Sequence, residues 1–168
     1  MKVFVEEQRF NQWWLYAIII ATMVTIVISV YDVYDATIIE QTNEFWMSAG
    51  IGIVISFIMF AVLFLKLEIK IDERGVHYGF WPFQLNLKTA AWHEIEECYV
   101  RTYSPLSEYG GWGYRISFKK HGKAYNVSGD KGIQIIFKNG SRTLIGTQKP
   151  SEVEAVLKQY AYKLNKVS

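Results

Sequence analysis

Cysteine is almost absent from this chain, and its scarcity excludes two kinds of structure. Of the 168 residues only Cys98 is a cysteine, so an internal disulfide and a zinc site built from several thiolates are both ruled out. Cys98 alternates with Val100 in a strand-like run, where a buried thiol packs as a small hydrophobic group. His77, His93 and His121 are also isolated from one another, without the close spacing of a metal site.

Catalytic motifs are missing as well. The chain has no Walker loop, no nucleophile elbow and no His-Glu-x-x-His motif. His93 and Glu94, with Glu96 and Glu97 close behind, have the residue types for proton transfer, but a solvated turn and strand edge explains them more simply. We therefore expect a binding protein rather than an enzyme, with no catalytic residue, cofactor or metal ion.

Charged residues are missing from two long apolar runs, 13–31 and 45–65. About 20 apolar residues in a helix span the roughly 30 Å of hydrocarbon in a bilayer. Because no water reaches the backbone there, a helix is the conformation that satisfies its polar groups. The sequence predicts a transmembrane helical hairpin within residues 1–66, in which Gly50 and Gly52 permit close helix packing. No small-residue cleavage site follows the first run, so we do not expect a cleaved signal peptide.

Basic residues are missing from the connection between the two runs. Residues 32–44 carry four acidic side chains and no lysine or arginine, whereas the chain from Lys66 onward has 16 basic and 10 acidic residues. Basic residues near membrane segments stay in the cytoplasm. We therefore expect a two-span integral membrane protein whose termini are both cytoplasmic, with membrane lipids among its partners.

The remaining residues, 67–168, suffice for one domain with its own core. Alternation of apolar and charged residues begins at Leu67, directly after the second apolar run, and further short runs of the same kind follow. Asn139-Gly140 is typical of a tight hairpin. From Pro150 to about residue 165 the apolar period becomes helical. The pattern predicts an α+β protein in which seven or eight antiparallel strands form a barrel or sandwich, capped by a C-terminal helix.

The order of these elements carries a family resemblance. Two membrane helices, then strands, then Ala91-Trp92-His93-Glu94-Ile95 and a closing helix resemble small bacterial membrane proteins with a pleckstrin-homology-like domain. In that family a tryptophan followed by an acidic residue and isoleucine commonly leads into a strand. Segments 109–115 and 140–148 look like an uncharacterised subgroup. The resemblance implies two packed sheets capped by the helix, in a bacterial plasma membrane, and it implies no reaction.

One segment, 104–115, departs from the strand pattern. Its glycines relax the backbone and leave main-chain groups accessible, so the loop could hold an anion or dock a partner. The alternative is a connecting loop whose glycines form a bulge while its tryptophan enters the core. The residues of this candidate loop are Tyr109, Gly110, Gly111, Trp112, Gly113 and Arg115.

A second candidate surface is basic. Lys119, Lys120 and Lys123 form a basic patch that would be attracted to an anionic membrane leaflet. The alternative is that they are simply solvent-exposed residues at the tip of a hairpin. The turn 72–75 has two acids to one base, which argues against a phosphoinositide site of the eukaryotic type. The modest basic excess, and aromatics at periodic core-facing positions, argue against nucleic acid.

Three aromatic residues, Phe80, Trp81 and Phe83, lie close in sequence to the membrane anchor. Core packing is the simplest role for these side chains, but any that are exposed would rest in the headgroup layer or form a subunit contact.

Taken together, the sequence predicts a membrane-anchored interaction or scaffold module that recruits a protein partner or assembles with copies of itself. The alternative is a sensor that binds a small anion or a lipid headgroup through the Gly-Gly-Trp-Gly loop.

Overall fold

The chain divides into two compact units that interleave along the sequence. The computed structural model describes residues 3–37, 42–84, 86–117 and 121–164. A helical unit contains Phe10–Leu65, and a β unit contains Met1–Arg9 together with Lys66–Ser168. The β unit is therefore built from chain on both sides of the helical unit.

The first sheet contains a strand for which the sequence pattern gives no signal. The strand β1 (Phe4–Arg9) precedes both helices and pairs antiparallel with β2 (Lys66–Ile71). Two further antiparallel strands, β3 (Gly75–Trp81) and β4 (Lys88–Ala91), complete the order β1-β2-β3-β4. Alternate residues of β2 are buried, as the alternation from Leu67 predicts.

The second sheet has five strands in the order β5-β8-β9-β7-β6. Its members are β5 (Ile95–Thr102), β6 (Gly113–Ile116), β7 (Lys123–Asn126), β8 (Lys131–Phe137) and β9 (Arg142–Gly146). The hairpin predicted at Asn139-Gly140 joins β8 to β9. The expectation of purely antiparallel strands is corrected here, because β7 runs parallel to β9. In the described residues the two sheets stay separate, which agrees with a sandwich and not with a closed barrel.

The core of the β unit is completed by the C-terminal helix. This helix, α4 (Pro150–Leu164), buries Val153, Val156, Leu157 and Tyr160 on one stripe, as its sequence period predicts. The Tyr160 ring stacks on that of Trp92, with ring centroids 5.3 Å apart. The helix expected over 150–165 is therefore present, although residue 165 itself lies outside the described residues. The α+β class is confirmed.

The helical unit consists of α1 (Trp13–Thr37) and α2 (Thr42–Leu63). In the described residues one stretch, Trp13–Asp32, is long and apolar enough to cross a membrane, and the apolar part of α2, Gly50–Ala61, is shorter. Large apolar side chains on both helices are exposed, including Val27 at 67% and Ile53 at 70%. A water-soluble protein rarely exposes apolar surface of this extent.

Candidate functional site

A cleft of about 440 Å³ lies on the face of the five-stranded sheet that carries the short helix α3 (Pro105–Tyr109). Strand register explains the arrangement. Tyr99 of β5 is opposite Gln134 of β8, and Ile136 of β8 is opposite Arg142 of β9, so their side chains share one face. The lining residues are Tyr99, Arg101, Gln134, Ile136 and Arg142 from the strands, with Glu108 and His121 beside α3.

The helix α3 is fixed at both ends by hydrogen bonds. The Ser104 hydroxyl accepts the backbone N–H of Ser107 at 3.4 Å, and the Glu108 carboxylate accepts the Ser104 N–H at 2.8 Å. Gly110 ends the helix with φ 72°, a left-handed conformation that glycine adopts without a Cβ clash. Beneath α3, Tyr109 packs in a small buried cluster with Tyr103, Ala124 and Leu144. The wall of the cleft formed by α3 is therefore held in place by hydrogen bonds and core packing.

Arg101 is fully satisfied by protein acceptors. A guanidinium has five N–H donors, and all five are used here. Two go to the Glu108 carboxylate, at 2.7 Å and 3.2 Å. The other three reach the Gln134 side-chain oxygen at 2.9 Å, the Thr102 carbonyl at 3.3 Å and the Tyr109 hydroxyl at 3.5 Å. Arg101 therefore shapes the cleft floor and has no donor left for a ligand.

The ion pair also sets the charge of Glu108. The bidentate hydrogen bonds from Arg101 hold the pKa of Glu108 below its ordinary value, and the Ser104 N–H lowers this pKa further. Partial burial opposes the shift without reversing it. His121 brings its Nδ1 to 3.8 Å from the same carboxylate. At neutral pH the Arg101–Glu108 pair thus contributes no net charge to the cleft.

Among the residues that line the cleft, Arg142 has a positive charge that is available to a ligand. Its side chain is exposed at the start of β9, and among the described residues no carboxylate pairs with it. Burial raises the pKa of the neighbouring Tyr109 phenol, and the positive charges of Arg101 and, to a smaller extent, Arg142 oppose this rise without reversing it. With the His121 ring and the Tyr99 hydroxyl, Arg142 supplies hydrogen-bond donors around one side of the cavity. The arrangement suits a small anionic group.

The backbone of the candidate loop is already occupied by protein acceptors. The N–H groups of Gly110 and Gly111 donate to the carbonyls of Leu106 and Pro105, each at 2.9 Å. The N–H of Gly113 donates to the Asn126 side chain, also at 2.9 Å. An anion at this loop would therefore depend on side chains rather than on these N–H groups.

The side chains of the candidate loop divide between core and surface. Tyr109 is buried and donates its hydroxyl hydrogen to the His121 carbonyl at 3.2 Å. Trp112 is half-buried, with its indole N–H 3.4 Å from the Gly129 carbonyl. Arg115 is exposed and donates to the Trp112 carbonyl at 2.9 Å. Trp112 therefore enters the core only in part, and among the described residues no carboxylate pairs with Arg115.

The other candidate residues are spread over the surface. Lys119 and Lys120 lie outside the described residues, whereas Lys123 is exposed at the beginning of β7. His77, which the sequence presents as isolated, lies between two partners: its Nε2 is 3.0 Å from Asp72 and its Nδ1 is 2.8 Å from Thr89. Register across β3 and β4 makes the second contact, and sequence spacing gives no sign of it. In the described residues no cluster of metal-ligating side chains occurs.

Comparisons with known proteins leave the family open. The chain matches no protein-family model and no curated protein. The resemblance to bacterial proteins with a pleckstrin-homology-like domain therefore stays a prediction.

Proposed function

We propose that this chain is a membrane-anchored binding module that holds a small anionic group in the cleft beside Arg142. The observation that carries the proposal is the contrast between two arginines in one cavity. Arg101 is neutralised by Glu108, whereas Arg142 faces the cavity with no described carboxylate partner. A guanidinium binds two oxygens of a carboxylate or phosphate at once, which favours these ligands over a simple halide.

Anchoring by two spans is supported by the pairing of β1 with β2. Only one stretch among the described residues meets the length and hydropathy of a membrane span. A segment that crosses once, however, ends on the far side of about 30 Å of hydrocarbon. Arg9 and Lys66 are register partners, and such partners lie about 5 Å apart. A chain that leaves at Arg9 and returns at Lys66 therefore crosses an even number of times.

The side of the membrane follows from charge. The connection 32–44 has only acidic charges, and the β unit has a basic excess, which favours cytoplasmic termini; the bacterial plasma membrane is what the family resemblance implies. The strand β1 also argues against removal of the first helix as a signal peptide. Cleavage after that helix would remove a strand whose Phe4, Glu6 and Gln8 are buried in the β unit.

The test is an anion titration of the intact protein in lipid nanodiscs, with inorganic phosphate and glycerol 3-phosphate as probes. Binding measured by calorimetry should weaken by about tenfold or more in Arg142→Ala, because the bidentate charge-assisted contact is lost. Arg115→Ala is the matched control, since Arg115 is also an exposed strand arginine. Its affinity should stay within about twofold of the parent protein.

Two results would decide against this cleft. Loss of binding in Arg115→Ala with no effect of Arg142→Ala would move the site to the Gly-Gly-Trp-Gly loop. Equal binding by all three proteins, or no binding of either probe, would remove the proposal of an anion site at Arg142.

A scaffold function has its own supporting observation. The strand β6 is one of the two edge strands of the five-stranded sheet, and its Tyr114, Arg115 and Ile116 are all exposed. An exposed edge of this kind can pair with a strand of a partner or of a second copy. Ile116→Pro removes a backbone donor from this edge, so it should lower the yield of crosslinked dimer or of a captured partner. An unchanged yield would argue against pairing through β6.

A further inference from the structure

One end of the four-stranded sheet combines exposed aromatic rings with cations. At this end Trp81 of β3 is the register partner of Lys66 of β2, and Lys66 is the partner of Arg9 of β1. Trp81 is 44% exposed, and Phe83, two residues further along, is 79% exposed. Phe80 behaves differently and packs in the core at 5% exposure. We call Arg9, Lys66, Trp81 and Phe83 the rim.

The rim is also the end of the sheet where the chain leaves for the helical unit and returns from it. Arg9 ends β1 and Lys66 begins β2, and only residues 10–12 and 64–65 separate these strands from α1 and α2. An extended chain covers at most about 3.6 Å per residue. Arg9 and Lys66, the two rim residues at these connections, are therefore each within roughly 15 Å of the helix next to them in the chain.

We infer that the rim rests in the headgroup layer of the membrane, with Trp81 and Phe83 in contact with lipid. This inference rests on the proposed membrane anchoring. Tryptophan is enriched at the membrane–water boundary because one side of its ring system is apolar and its N–H is polar. Exposed phenylalanine buries its ring below the headgroups in peripheral membrane proteins. Here both rings are exposed, and Trp81 is the register partner of Lys66, where the chain returns from the helical unit.

The aromatic pair, rather than net charge, supplies the attraction. Lys66 is paired with Glu7 at 2.9 Å and lies 3.7 Å from Glu68, so its charge is largely compensated. Arg9 has no described carboxylate partner, so its charge adds a modest attraction at an anionic surface. The contact should therefore persist in vesicles of neutral lipid and strengthen modestly when anionic lipid is added.

The opposite end of the same sheet provides an internal control. The turn between β2 and β3 contains Glu73, which is exposed. Trp81 pairs with Lys66 at one end of this hairpin, and Ile71 pairs with Val76 at the other. At about 3.3 Å per residue, the turn lies roughly 17 Å further along the sheet from the rim. A probe at Glu73 should therefore stay in water while one at Phe83 meets lipid.

The experiment uses single fluorescent labels on the intact protein in phosphatidylcholine vesicles. Burial raises the pKa of the only thiol, Cys98, to about 12, so it reacts slowly, and Cys98→Ala removes it altogether. In that background Phe83→Cys, Trp81→Cys, Glu73→Cys and Val27→Cys are labelled separately. Quenching by lipids that carry a spin label near the carbonyl group is then measured at each position.

The label at position 27 tests the membrane anchoring, and the labels at positions 81 and 83 test the contact of the rim with lipid. Quenching at positions 83 and 81 should exceed that at position 73 by about threefold or more, as expected for groups in the headgroup layer. If position 27 is quenched but positions 83 and 81 match position 73, the rim lies away from lipid and the inference is wrong. If position 27 is not quenched, the membrane anchoring fails as well.

Discussion

Arg9 and Lys66 are opposite one another on adjacent antiparallel strands, although both long helices lie between them in the sequence. The helical unit is therefore an insertion into a β-sheet, and not an N-terminal extension of a domain that is complete without it. One consequence is that β1 cannot pair until the chain has returned from the helices. The first sheet can thus be completed only after the chain of the helical unit has brought Arg9 and Lys66 together.

The buried carboxylate of Glu6 links β1 to the segment that follows β9. It accepts hydrogen bonds from the Thr147 hydroxyl at 2.6 Å, the Gln148 backbone N–H at 2.7 Å and the Gln8 side chain at 3.0 Å. Gln8 also donates to the Gly146 carbonyl at 2.8 Å. Glu6 is 4% exposed, so removal of its carboxylate leaves buried donors without an acceptor.

The first prediction is that Glu6→Ala destabilises the β unit by about 2–4 kcal/mol, because hydrogen bonds to a buried charged group are lost. Glu7→Ala is the matched control. Glu7 is its neighbour on the exposed face of β1, and its surface pair with Lys66 is worth about 1 kcal/mol or less. Urea unfolding of the intact protein in detergent, followed by fluorescence, measures both. Equal unfolding midpoints for the two variants would contradict a structural role for Glu6.

The same strand shows why part of the fold escapes sequence reasoning. In β1 the side chains that face inward are Phe4, Glu6 and Gln8, while Val3 and Val5 are 54% and 52% exposed. Hydrophobic alternation would place the valines inside, since it assigns apolar residues to the buried face. The Glu6 carboxylate and the Gln8 side-chain N–H form hydrogen bonds with the 146–148 segment, which is distant in sequence. In α4 and at Asn139-Gly140 the signal is local, and there the sequence gives the correct element.

The cleft is not predictable from the sequence for a related reason. Arg101 and Arg142 lie on different strands, and Glu108 and His121 flank the candidate loop. The sheet order β5-β8-β9-β7-β6 with a parallel β7–β9 pair brings them together. Local turns favour antiparallel neighbours, so sequence reasoning has no means of anticipating this order. The sequence does mark 104–115 as unusual, and that segment contains Glu108, which orients Arg101.

The second prediction concerns acid stability and the carboxylate of Asp72. Partial burial acts to raise its pKa, but hydrogen bonds from His77, the Arg74 N–H and Lys70 together hold the pKa well below its ordinary value. A carboxyl group whose pKa is lower in the folded state stabilises the protein above its unfolded pKa, which is about 3.9. This contribution is lost as the pH falls below about 4.

Asp72→Asn should therefore be less stable than the parent protein at pH 7, by about 1–2 kcal/mol. The difference should shrink as the pH falls from about 5 toward 2, because the parent loses the same interaction by protonation. Asp130→Asn, at an exposed turn residue, is the control and should follow the parent curve. Urea midpoints across this pH range measure the effect, and a difference that stays constant with pH would contradict the assignment.

The third prediction concerns helix packing within the helical unit. A Cβ atom added at Gly52 would lie 2.6 Å from the Ile26 side chain, whereas one added at Gly50 meets nothing within 4 Å. The Ile26 methyl group has little freedom to move, because β-branched side chains are restricted in helices. Gly52→Leu should therefore push α1 and α2 apart at a cost of about 1–3 kcal/mol, while Gly50→Leu should leave the packing unchanged.

Crosslinking between the helices measures this separation directly. Thr25 and Ile55 both line a cavity of about 370 Å³ between α1 and α2. In the Cys98→Ala background, cysteines introduced by Thr25→Cys and Ile55→Cys should be joined by a short bifunctional thiol reagent. We expect the yield to fall about threefold or more with Gly52→Leu, since overpacking displaces the helices. If Gly50→Leu lowered the crosslinking yield as much as Gly52→Leu did, the close approach at Gly52 would not be what sets the distance between the helices.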